Sequence, residues 1–160
     1  MSGKRRRRQC AALPLSVSSG GELKVLLVTS RETKRWILPK GWLGRGVAPA
    51  DQAAREALEE AGLTGEIGRK AIGSYRYLKL LPRGRAVPCR VDVFPLMVAC
   101  QVEDWPERGQ RELGWFAPDE AAELVDEAEL AALLRRVAAD PPRATLRPRA
   151  SPAQAALPPG

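Results

Sequence analysis

Apolar and polar positions alternate along the chain in a way that predicts short strands around three helices. Gln9 to Leu15 reads as a short strand, and Leu23-Lys24-Val25-Leu26-Leu27-Val28-Thr29, after the Ser18-Ser19-Gly20-Gly21 turn, as a buried one. Trp36-Ile37-Leu38 is a third short strand, stopped by Pro39, and Gly41, Gly44 and Gly46 mark a loop beyond it. Glu66 to Leu81 and Ala86 to Val102 form a hairpin through Pro82-Arg83-Gly84-Arg85, and Glu112 to Phe116 is a further strand. Between these lies a helix that starts at Pro49, carries Asp51 near the positive end of its dipole, runs to Ala61 and stops at Gly62. Position 48 is alanine, so this helix lacks a side-chain N-cap. Pro118 to Ala122 predicts a short helix, and Glu127 to Ala138 a longer one with Leu130, Leu133, Leu134 and Val137 on one face. Strands, helix, strands, helix define an α/β fold with a mixed sheet.

The two ends differ from this pattern. Residues 1 to 8 form a basic arm and residues 140 to 160 a Pro-, Ala- and Arg-rich tail without apolar periodicity, and both are expected to be disordered. A single domain from 9 to 139 is expected between them. No apolar run approaches the roughly 20 residues that span a bilayer, and the stretch after the basic arm is too short for a signal peptide. The expectation is a cytoplasmic protein with no membrane partner; homodimerisation is left open.

The formal net charge of +7 raises the question of a nucleic-acid partner, but its distribution argues otherwise. Residues 4 to 8 contribute +5 and the tail from Pro141 contributes +3, which leaves −1 for the stretch between them. Nucleic acid is therefore not the expected partner. The absence of histidine removes the Ser-His-Asp triad, the Cys-His pair and the His-Glu-x-x-His zinc helix together. Three widely spaced cysteines, Cys10, Cys89 and Cys100, suggest buried thiols rather than a zinc or redox pair. Catalysis must then rest on carboxylates, Lys, Arg or Tyr, or on a hard metal held by oxygens.

Glu56, Glu59 and Glu60 stand at i, i+3 and i+4 of the first helix, on one stripe. Each like-charged pair costs roughly 0.2 to 0.5 kcal/mol of helix stability. A divalent cation reverses that sign, and Mg²⁺ suits a shell of carboxylate and phosphate oxygens. Arg55 precedes Glu59 by four residues and is expected to pair with it. Ala53, Ala54, Ala57, Leu58 and Ala61 form the opposite side, small enough to lie close to a sheet, and Pro39-Lys40-Gly41 leads a glycine-rich loop toward the helix.

The spacing of Gly41, Arg55-Glu56, Glu59-Glu60 and Gly62-Leu63 resembles the Nudix box, G-x5-E-x7-R-E-U-x-E-E-x-G-U, and with its flanks the likeness covers nearly the whole globular part. The resemblance implies a Nudix-type α/β/α sandwich and hydrolysis of a diphosphate linkage in a nucleoside diphosphate derivative or a related compound. It also implies that Glu56, Glu59 and Glu60 bind Mg²⁺, with Mn²⁺ as a substitute, that Arg55 orients a glutamate, and that the Gly41 carbonyl completes the shell. One position departs from the box: Val47 stands where it has glutamate, and Asp51 is the candidate to substitute. An acid from a later loop is a further expectation, with Glu103, Asp104, Glu107 and Glu112 as candidates for the base.

For substrate, Lys40 is the first choice to meet phosphate, with Arg35 beside it, and Trp42 the first choice for stacking. Arg31, Lys34 and Arg45, and the hairpin's Arg76, Lys79, Arg83, Arg85 and Arg90, add positive charge that would favour a highly phosphorylated small molecule. Pro-Lys-Gly-Trp, Trp105-Pro106-Glu107 and Trp115-Phe116 resemble the diphosphoinositol polyphosphate phosphohydrolase branch and its bacterial relatives. This implies a diphosphoinositol polyphosphate or a dinucleoside polyphosphate as substrate. The competing reading is a catalytically weakened Nudix-fold module that binds RNA or another polyanion through its basic arm.

Overall fold

The computed structural model describes residues 7–142. Eight strands form one sheet: β1 (Arg8–Val17), β2 (Leu23–Thr29), β3 (Trp36–Ile37), β4 (Lys40–Trp42), β5 (Leu63–Ile67), β6 (Gly73–Leu80), β7 (Ala86–Gln101) and β8 (Leu113–Phe116). Helix α1 (Pro49–Ala61) lies on one face, and α2 (Pro118–Leu124) and α3 (Ala128–Ala139) lie on the other. The result is a three-layer α/β/α sandwich.

The centre of the sheet is the parallel pair β1 and β7, in register from Arg8↔Arg90 to Leu15↔Met97. Both faces of β1 are covered, so Cys10, Ala11, Ala12, Leu13 and Leu15 have no exposed surface. Side chains of alternate residues enter different cores. Ala11, Leu13 and Leu15 pack toward α2 and α3, whereas Cys10 and Ala12 pack toward Ala50, Ala53, Ala57 and Ala61 of α1. Of the small face expected on α1, Leu58 is the exception: it is exposed.

Two prolines sit inside these central strands, where a missing N–H would ordinarily break the ladder. The outer edge of β1 is shared by two strands, with β4 opposite Gln9 to Ala11 and β2 opposite Leu15 to Val17. Pro14 falls at the junction between them. The outer edge of β7 is shared in the same way, β6 pairing up to Val93 and β5 from Leu96, and Pro95 falls at that junction. Each proline therefore removes a donor where the neighbouring strand changes and no partner is lost.

These shared edges also account for the differences from the sequence expectation. Glu66 to Leu81 does not form one strand; it divides into β5 and β6, separated by a turn in which Gly68 N–H donates to Pro95 O at 2.7 Å. Lys40 to Trp42, expected as the start of a loop, is drawn into β4 by its register with β1. Arg8, expected in the flexible arm, opens β1, and its guanidinium holds Asp92 at 2.7 Å. The remainder of the arm and the tail from 143 lie outside the described residues.

Gly62 ends α1 in the left-handed region, φ 70°, and its N–H bonds back to Leu58 O at 3.0 Å. A Cβ here would collide with the Trp105 ring, because the loop after β7 crosses directly over the helix end. Gly62→Ala is expected to destabilise the fold by about 2 kcal/mol or more, from the φ penalty and the overpacking together. Urea denaturation tests this, and a loss below about 0.5 kcal/mol would show that the loop yields freely.

Candidate active site

Helix α1 carries Glu56, Glu59 and Glu60 along the side that faces β4 and the loop after β7. The alanines on its other side set the depth of this stripe, since they let the helix sink onto the sheet until Glu60 is only 5% exposed. Glu56 lies against Gly41, where a Cβ would run into its carboxylate. The backbone of β4 and the carboxylate thus occupy neighbouring space that only glycine leaves open.

The two inner carboxyls are electrostatically strained. Burial pushes Glu60 up to about 8, with Arg111 opposing the shift and Glu56 adding to it. Glu56 is also raised, chiefly by burial, while hydrogen bonds from Glu60 and Gln52 hold it down. The Arg111 guanidinium approaches Glu60 at 3.7 Å, too far for a strong hydrogen bond, and spends its geometry elsewhere: Nε donates to Glu107 at 2.8 Å and Nη1 to Thr29 O at 3.0 Å. Glu60 Oε1 is buried and has no hydrogen-bond partner. An acceptor oxygen left bare beside a second carboxylate is a poor arrangement for a closed core and suits a hard cation. Among the described residues no three acidic or thiol side chains converge to close a metal shell by themselves. A cation here would also draw on the Gly41 carbonyl, water or substrate phosphate, as Mg²⁺ commonly does.

The loop after β7 completes the site. Glu107 N–H donates to Glu59 O at 3.0 Å, and Glu112 N–H donates to Thr29 Oγ1 at 2.9 Å, so both ends of this segment are bolted down. Of the four acids considered for a base, the fold brings Glu107 beside Glu60, whereas Glu103, Asp104 and Glu112 are exposed. Arg111 and Gln52 escaped the sequence reading. Gln52 Nε2 donates to Glu56 Oε2 at 2.8 Å while its Oε1 accepts from Gly44 N–H at 3.1 Å, which ties the glycine-rich loop to the first glutamate. Its position one turn before Glu56 was the available signal.

Two expectations are corrected. Asp51 does not stand in for the glutamate replaced by Val47: it is exposed and paired with Arg69 at 2.7 Å. Gln52 makes the loop contact instead. Arg55 is exposed, and among the described residues no ion pair joins it to Glu59. Arg35 is exposed and pairs with Asp126 at 3.0 Å, and its charge also reaches Tyr77, the hydrogen-bond partner of Lys40.

Lys40 and Trp42 alternate with Gly41 and so project from the opposite face of β4. Lys40 Nζ donates to Tyr77 OH at 3.2 Å and lies over its ring, and Tyr77 OH donates to Gln9 Oε1 at 2.6 Å. Burial lowers the Lys40 ammonium below its usual range, and neighbouring Lys79 adds to the shift. Trp42 is 42% exposed, with the Lys79 ammonium 5.9 Å from its ring centre. Trp36 packs edge-on against Phe116, and Trp105 and Trp115 are part-buried, so stacking surface is offered by Trp42.

The site is thus an acidic helix held against a glycine-bearing edge strand of an α/β/α sandwich. The NUDIX domain model matches residues 6–139, and the chain belongs to the Nudix family of hydrolases. It is 33% identical over 116 residues to Nudix hydrolase 21, chloroplastic, of Arabidopsis thaliana, covering 72% of this chain and 57% of that one. It is 32% identical over 114 residues to human diphosphoinositol polyphosphate phosphohydrolase 3-alpha, covering 69% and 65%. The chain spans about half the length of several plant relatives, for instance 47% of Arabidopsis Nudix hydrolase 4. The fold is similar to that of a C. elegans Ap4A hydrolase in a binary complex, with TM-score 0.63, 23% identity and coverage of 82% and 95%. A Clostridium perfringens NUDIX-family hydrolase gives TM-score 0.58 at 18% identity, with coverage of 82% and 98%. No helix among the described residues is long and apolar enough to cross a membrane.

Two outcomes follow for the carboxyls. Gly41→Ala must displace the Glu56 side chain, a flexible group, so metal affinity should fall about tenfold or more while stability changes little; Mn²⁺ titration by electron paramagnetic resonance reads the affinity. Unchanged affinity would separate Gly41 from the metal. In metal-free buffer, folded Glu60 holds its proton up to about pH 8, whereas an unfolded carboxyl releases it near 4.5. The folded state therefore binds the extra proton across that window, and stability should fall as pH rises through it. Glu60→Gln should flatten the profile of urea midpoints, and a parallel slope in that variant would assign the effect elsewhere.

Proposed function

We propose that the chain is a Mg²⁺-dependent phosphohydrolase that cleaves a phosphoric anhydride in a highly phosphorylated small molecule. The observation that carries this reading is the pair of desolvated carboxyls, Glu56 and Glu60, with a bare oxygen beside the Gly41 loop. Glu56, Glu59 and Glu60 would hold the cation with the Gly41 carbonyl. When bound, it neutralises phosphate charge and lowers the pKa of a water molecule.

The chain's own residues have separate tasks in this scheme. Gln52 orients Glu56 through its 2.8 Å hydrogen bond and keeps the loop in place. Arg111 holds Glu107 beside Glu60, and Glu107 accepts the proton of the attacking water. Arg55, exposed on α1, is free to meet a phosphate oxygen instead of a glutamate. On the other side of β4, Lys40 and Lys79 supply positive charge and Trp42 an open ring face, which suits a base or an apolar sugar face next to a phosphate chain.

The human relative's name points to diphosphoinositol polyphosphates and the structural neighbour's title to Ap4A; both are taken here as candidate substrates. A pure polyanion-binding module has no need to bury two neighbouring carboxyl groups, which disfavours that alternative. The expected compartment is the cytoplasm, although matched plant relatives are named chloroplastic and mitochondrial.

A panel of diphosphoinositol polyphosphates, dinucleoside polyphosphates and nucleoside diphosphate derivatives, assayed with and without Mg²⁺, tests the proposal. Glu59→Gln, Glu60→Gln and Glu107→Gln should each lower kcat/KM by about 10²- to 10⁴-fold. Turnover that is independent of Mg²⁺, or equal in wild type and all three variants, would refute it.

A further inference from the structure

The β6–β7 hairpin has a second face that the candidate active site does not use. Tyr75, Tyr77 and Lys79 point toward α3 and Lys40, so Leu78 and Leu80 point the other way. Helix α1 covers that face of the sheet over Phe94, Leu96 and Val98 of β7, but not over the hairpin arms. Leu78 is opposite Pro88 and Leu80 is opposite Ala86, which puts four apolar side chains together on an uncovered surface. All four are exposed; Leu78 at 65% and Leu80 at 75% exceed every other large hydrophobic side chain among the described residues. Single exposed leucines are ordinary, but a cross-strand cluster of this kind is not.

The charge around the cluster has one sign. From Gly73 to Val91 the sequence holds Arg76, Lys79, Arg83, Arg85 and Arg90 and not one Asp or Glu. Arg76 is held by Glu129 of α3 and Arg90 by Asp92, while Arg83 and Arg85 at the turn have no ion-pair partner among the described residues. Arg8 lies in register beside Arg90, and its guanidinium shares Asp92 with that residue.

Three kinds of occupant can be compared against these facts. A second copy laid against the face or along the outer edge of β6 would bring a second set of the same cations into contact. A nucleic acid would match the charge, but the cluster offers leucines where base stacking needs aromatic rings. An anionic bilayer matches both parts, with leucines entering the acyl boundary and arginines meeting lipid phosphates.

We propose that the exposed hairpin face, Leu78 and Leu80 with Arg83 and Arg85, docks this protein on an anionic phospholipid surface. The absence of an apolar run long enough to span a bilayer has no bearing on a strand face that only touches its surface. Docking through Leu78 and Leu80 leaves Lys79 and Trp42 uncovered on the other face of the sheet.

Full-length protein is sedimented with vesicles of phosphatidylcholine alone or mixed with phosphatidylglycerol, at low and at physiological salt. Binding is expected to the mixed vesicles only, and to weaken with salt. L78S/L80S and R83S/R85S should each lower the vesicle affinity about tenfold, with thermal midpoints close to wild type to show that the fold is intact. Failure of wild type to bind the mixed vesicles overturns the proposal. So does vesicle binding that survives L78S/L80S, since charge alone would then explain it, and so does concentration-dependent dimerisation that this variant abolishes without any vesicle binding.

Discussion

Two carboxyl groups on adjacent turns of one helix are taken out of water and set against each other, which disfavours their charged forms. Glu60 is almost fully buried, retains a bare oxygen, and sits near Glu56 and Glu107 with one guanidinium to balance the group. Holding these groups out of water with one oxygen bare costs stability that the surrounding structure must supply from elsewhere. It does so through the packing of α1. Ala53, Ala57 and Ala61 have no exposed surface, and the same closeness that buries them buries Glu60 on the flank of the helix.

The sheet is arranged to serve this contact. β4 is a strand of three residues whose place on the edge of β1 brings Gly41 under Glu56, and the break marked by Pro14 separates β4 from β2. The β2 strand in turn accepts Arg111 at Thr29, which anchors the loop carrying Glu107. The centre of the sheet and the outer loop therefore converge on the same helix face from two directions. A change at Gln52, which is neither acidic nor basic, is coupled to Glu56 through a single hydrogen bond.

Much of the fold was legible from periodicity, for reasons visible in individual elements. Helix α1 declared both its ends, at Pro49 and Gly62, because those residues act through local backbone geometry. The apolar run of β2 and the leucine face of α3 were equally plain, since burial there follows the local repeat. The division of Glu66 to Leu81 into two strands was not legible. It depends on which part of β7 each piece meets, and nothing within those residues records their partner's register.

The candidate site divides along the same line. The sequence by itself determined that Glu56, Glu59 and Glu60 share a stripe and that Gly41 and Gly62 bracket it, because helix periodicity and backbone freedom are properties of neighbours in the chain. Only the tertiary structure decided how deeply each acid is buried, that Gln52 rather than Asp51 reaches the loop, and that Glu107 with Arg111 joins the group. Desolvation and ion pairing act through space, between segments some fifty residues apart, and a linear pattern carries no record of which distant charges will meet.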